Sequence, residues 1–153
     1  AKKLLAQMPQ NLQDTINKYE TLKDYNSPSY VSANDSFFVR HMVVTKDPPA
    51  PAVECDGIKG NDFIYNYMWG PTEFNATGTL KNFDRAKDLD QLNLPVLFIA
   101  GEFDEARPET MYQFQKMVKN AKVVILEKAG HRLQIDQPVK FPTAVGTFLN
   151  SVD

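Results

Sequence analysis

With 153 residues, 42% of them hydrophobic, the chain is long enough for one domain with a real core. Its 17 basic and 19 acidic residues leave a formal net charge of −2, so nothing drives it electrostatically toward nucleic acid or an anionic membrane. One cysteine, Cys55, excludes a disulfide framework and a cysteine-rich zinc site and reads as a free loop thiol.

The first half reads as helices joined by irregular, proline-rich stretches. Leu12, Ile16, Tyr19 and Leu22 recur at helical spacing, and Pro9 suits the first turn of that helix. Ser27 followed by Pro28, a capping residue and then proline, opens a second helix. Its apolar face is expected to hold Tyr30, Ala33, Phe37, His41 and Val44. Asp47–Pro51 contains three prolines and is a connector, and a short helix over Asp62–Met68 leads into Trp69-Gly-Pro71.

Near residue 85 the pattern changes. Val96–Ala100 is a short continuous apolar run, the signature of a strand buried on both faces of a parallel sheet. Pro108 opens a helix with Met111, Phe114, Met117 and Val118 on one side, and a second apolar run follows at Val123–Leu126. Pro138 opens a last helix with Phe141, Val145, Phe148 and Leu149 inward. Strand, helix, strand, helix is the βαβα pattern of an α/β sheet, and two strands alone leave edges and faces that other strands must cover. The expected division is a helical region over 1–84 and an α/β region over 85–153. No apolar run reaches the roughly 18–20 residues of a membrane span, and no leader is visible, so a cytoplasmic location is expected. The chain opens at Ala1 without methionine and reads as cut from something longer.

Two loops follow the carboxyl ends of the strands, where α/β enzymes place reactive groups. Asp104 lies after the first strand and His131 after the second. Taken singly, such an aspartate is a turn or cap residue and such a histidine a surface or core residue. Together they suit a division of labour in which the carboxylate orients one ring nitrogen and the other acts as general base.

Three stretches carry a family resemblance. Leu94–Pro108 resembles the catalytic-acid segment of α/β-hydrolases, and Val123–His131 their histidine segment, with acid before histidine as in their triads. Met68-Trp-Gly-Pro-Thr-Glu-Phe74 with Thr77-Gly-Thr-Leu80 is similar to the characteristic block of proline iminopeptidases, at the end of their helical cap. Phe37–His41 also reads like that cap, and Asp47–Gly60 matches least. The resemblance implies a cap followed by the C-terminal βαβα portion of an α/β-hydrolase sheet, acting on short peptides with an N-terminal proline. It implies Asp104 and His131 as catalytic residues, and Glu73 and Glu105 as carboxylates for the substrate's free α-amine. Such an ammonium, once out of water, needs anionic partners. Trp69 and Phe74 would help line the pocket for the proline ring.

The sequence departs from that family pattern in two places. Arg132 follows the histidine where relatives more often carry a small or apolar residue, and none of the five serines (Ser27, Ser29, Ser32, Ser36, Ser151) sits in Gly-x-Ser-x-Gly. The nucleophile and oxyanion hole are therefore expected on a missing N-terminal half, and the chain alone is expected to be inactive. No metal or organic cofactor is implied, and His41 reads as a packing residue. Alternatives are another capped hydrolase, such as an esterase or epoxide hydrolase, and a non-catalytic half-hydrolase that pairs with another chain.

Overall fold

A computed structural model describes residues 1–46 and 60–152. The expected connector over Asp47–Pro51 and the thiol of Cys55 lie outside the described residues. Two compact units emerge, one of residues 1–37 and 60–83, the other of residues 38–46 and 84–152.

The first unit is helical. Helix α1 spans Lys2–Leu5, α2 Gln10–Leu22, and α3 begins at Pro28 and runs to His41. Pro9 is the residue before α2 rather than part of its first turn, with φ −51° and ψ 141°. Ile16 is fully buried, whereas Leu22, on the last turn of α2, is exposed. The apolar stripe of α3 is as its spacing predicts: Tyr30, Ala33, Phe37 and His41 are all buried. Val44 is beyond the helix end and takes no place on that stripe. Leu4, Leu5, Met8, Ile16, Tyr30, Ala33, Phe37 and Phe74 form one core. Phe37 and Phe74 meet edge to face at 4.9 Å, a contact worth about 0.5–1.5 kcal/mol beyond area burial. Helix α4, Asp62–Met68, is capped by the Asn61 side chain, which accepts from the Ile64 amide.

The second unit carries the sheet. Strand β1 (Val96–Gly101) pairs in parallel with β2 (Ala121–Leu126), in register from Val96↔Ala121 to Gly101↔Leu126. Helix α5 (Pro108–Gln115) crosses between them, with proline in its first turn as its fixed φ favours. Two short-range expectations shift. Helix α5 ends at Gln115, so Met117 and Val118 lie in the following turn, and Val118 alone of the two is buried. The last helix, α7 (Lys140–Leu149), starts at Lys140 rather than Pro138, after an additional turn, α6, at Leu133–Asp136. The strands are also less enclosed than their apolar runs suggested, since Val96–Ile99 are half-buried and only Ala100 and Gly101 are buried. A 3-10 turn over Ala86–Gln91 precedes β1. Among the described residues no helix is long and apolar enough to cross a membrane.

Candidate active site

In the second unit, the ladder between β1 and β2 continues into the loops beyond it. The Glu102 amide donates to Leu126 O at 2.9 Å and the Phe103 amide to Ala129 O at 2.9 Å. Gly101 permits this approach: a Cβ there would stand 2.3 Å from the carbonyl oxygens of Ala129 and Gly130, so any side chain would force the two loops apart. Lys128, at φ 54°, turns the histidine loop back toward β1, and its amide donates to the Glu102 carboxylate at 2.9 Å.

These turns bring Asp104 and His131 together. His131 Nδ1 lies 2.9 Å from Asp104 Oδ1, across 27 residues of sequence. Asp104 is buried, and its carboxylate also accepts from the Gly101 amide at 3.2 Å and the Ala106 amide at 2.7 Å. With both oxygens occupied as acceptors, the contact to His131 calls for a proton on Nδ1, leaving the Nε2 lone pair to accept one. The His131 side chain is 47% exposed against 4% for Asp104, so the ring is held from behind and open in front. Such a pair can take a proton from a nucleophile and return it to a leaving group. Glu105 follows directly, half-buried in the same loop. Arg132 is exposed.

The backbone just after α3 braces the histidine loop. His131 N donates to His41 O and Arg132 N to Met42 O, both at 2.9 Å. The buried His41 ring reaches the acid loop, with Nδ1 2.7 Å from Phe103 O. Burial holds its pKa below the ordinary value, Arg40 pushes the same way, and the Phe103 carbonyl opposes them. Asp136, on α6, accepts from Gly130 N at 2.8 Å, Thr45 N at 2.8 Å and Val44 N at 3.1 Å. Burial pushes the Asp136 carboxyl upward, but the bonds from Thr45, Gly130 and Val44 together hold it below the usual range. Asp136 was not among the residues singled out from the sequence, because an acid two residues before Pro138 looks like an ordinary helix-start residue. His41 is buried as expected, and its polar contacts were not legible from helical spacing.

The first unit places Glu73 and Trp69 beside an apolar groove of about 540 Å³, lined also by Asn61, Ile64, Tyr65, Met68 and Leu80. Tyr65 donates its hydroxyl to Glu73, and Trp69 Nε1 donates to Thr72 O at 3.1 Å. The loop folds back on α4 through Thr77 N and Gly78 N to Trp69 O, and Leu80 N to Met68 O. Gly70, at φ 133°, makes the turn, and a Cβ on Gly78 would meet the Met68 carbonyl at 2.4 Å. Phe74 is a core residue packed on Phe37. Tyr65 had no signal of its own beyond its place on α4. Glu73 and Glu105 belong to different units. Among the described residues no three His, Cys, Asp or Glu side chains are grouped to hold a metal ion.

No protein-family model matches the chain. Curated relatives do. A proline iminopeptidase of Heyndrickxia coagulans is 35% identical over 99% of the chain and 52% of its own length. One from Clostridium botulinum is 30% identical over 97% of the chain and 51% of its own length. Among solved structures, a Mycobacterium smegmatis proline iminopeptidase matches at TM-score 0.84 and 28% identity, covering 98% of the chain and 50% of that structure. The structure of VinJ matches at TM-score 0.83 and 26% identity, covering 99% of the chain and 52% of its own. The chain thus spans about half the length of the curated relatives it matches, and its helices and parallel strands follow the fold of the matched half.

Proposed function

From its homology to proline iminopeptidases over 99% of its length, we propose that the chain is the acid- and base-bearing part of a serine aminopeptidase that releases N-terminal proline. In this reading residues 1–84 form the cap and 85–153 the C-terminal portion of the α/β-hydrolase core. A serine outside the chain attacks the prolyl carbonyl, His131 Nε2 takes its proton and gives it to the leaving amine, and water then attacks the serine-bound prolyl ester, giving its proton to the same nitrogen, which returns it to the serine as proline leaves. Asp104 fixes the ring and stabilises the imidazolium between the two steps. Glu73 and Glu105 hold the charged imino terminus, and the groove beside Trp69 takes the proline ring. Acyl transfer of this kind needs no metal or organic cofactor. Short peptides with an N-terminal proline are the substrates, and the nucleophile-bearing half is the partner.

The observation that carries the reading is the Asp104–His131 contact on paired parallel strands. Its test is complementation: the chain is co-expressed with the nucleophile-bearing half of a relative, and prolyl-amide hydrolysis is assayed. The chain alone should be inactive and the complemented pair active. Asp104→Asn should cost about 10⁴-fold in kcat. Glu73→Ala should abolish prolyl-amide cleavage while sparing simple esters. An enzyme that prefers esters in all forms would instead be a capped esterase.

A further inference from the structure

We propose that His41 and Asp136 are positioning residues that clamp the two reactive loops in register, a role that rests on the catalytic reading of Asp104 and His131. The segment running from His41 to Thr45 lies against both loops. At one end His41 touches both of them, its ring reaching Phe103 O, next to Asp104, and its carbonyl taking the His131 amide. At the other end Asp136 gathers three amides, one from Gly130 beside His131 and two from Val44 and Thr45. Gly130 has no room for a side chain, since a Cβ would stand 2.7 Å from His41 O. The His131 loop is therefore pinned on both flanks by groups other than Asp104. The clamp adds to the bonds that join the two loops directly, the Asp104 contact, Phe103 N to Ala129 O and Lys128 N to the Glu102 carboxylate. Side chains that must act within a narrow geometry depend on such support.

The chain has two histidines, so both rings can be assigned in nitrogen-15-labelled protein by single substitutions. The His131 ring-nitrogen shifts and its Nδ1 proton signal report the tautomer held by Asp104. The full chain should show a single Nδ1-protonated His131. His41→Ala and Asp136→Ala should each shift those nitrogens toward the averaged values of a free imidazole and lose the Nδ1 proton signal, with unchanged circular dichroism. His41→Asn, which keeps a donor near the position of Nδ1, should restore the wild-type pattern. Wild-type signals in both alanine variants would overturn the clamp. Should either alanine variant fail to fold, His41→Asn and Asp136→Asn decide. The first keeping the signal while the second loses it supports the clamp, and the same signal in both overturns it. Asp104→Asn separates the two levels. If it leaves His131 unchanged, the catalytic reading fails. If it releases His131 while the His41 and Asp136 variants do not, only the clamp fails.

Discussion

At the scale of single residues, two buried polar groups set how the second unit responds to acid. His41 has a folded pKa below its ordinary value of 6.5, because burial disfavours the charged ring. Its contribution is intact above that value and is lost as pH falls from about 6.5 toward the folded value. Asp136, also lowered, contributes fully above its ordinary 3.8 and loses that contribution as pH falls through its folded value. Urea unfolding should therefore show two acid-side losses, one below about pH 6.5 and one below about pH 4. His41→Asn should remove the first and leave the second. Asp136→Ala should cost about 3 kcal/mol at pH 7, since it strands backbone donors that now meet a carboxylate. In the first unit, Phe74→Ala should cost about 3 kcal/mol and lower the thermal midpoint, because it empties a site packed on Phe37. Asp104 and His131 could be found in the sequence because each lies a few residues past the end of an apolar run. Asp136 could not, because its partners are amides, which leave no mark on composition.

At the scale of elements, helix boundaries followed local chemistry wherever it was strong. Pro28 and Pro108 open α3 and α5, and the stripe of α3 is buried at its expected positions. Pro138 misled, since the chain makes the short turn α6 and then three further residues before α7 begins at Lys140. The end of α2 carries a residue the sequence would not favour. Lys23 adopts φ 55°, with its amide donating to Glu20 O and the Asp24 amide to Tyr19 O, the paired bonds of a left-handed helix terminus. Glycine takes that conformation without steric cost, so Lys23→Gly should raise stability by about 1 kcal/mol in thermal unfolding. Gly101→Ala should do the opposite and destabilise the second unit by about 3 kcal/mol, because the clash is with backbone carbonyls that cannot rotate away.

At the scale of the whole molecule, two strands were legible as strands but their burial was not. Continuous apolar runs predict enclosure on both faces, and in the structure most of those side chains are only half-covered. Large apolar side chains also stand exposed, among them Phe63, Phe83, Leu94 and Val139. By itself the chain should associate as its concentration rises, seen as growing sedimentation coefficients, and adding the N-terminal half of a proline iminopeptidase relative should suppress that association. A monodisperse monomer at every concentration would sink the idea that it requires strands from elsewhere. The parallel pairing of β1 with β2 reaches further than their shared hydrogen bonds. Asp104 and His131 each sit a few residues past the end of one of two strands that are paired in register along their whole length. A bend that moves the two paired strands as one unit carries Asp104 and His131 along together. The separation of the two side chains is thereby tied to the strand pairing, whereas their distance to anything outside the pair is not.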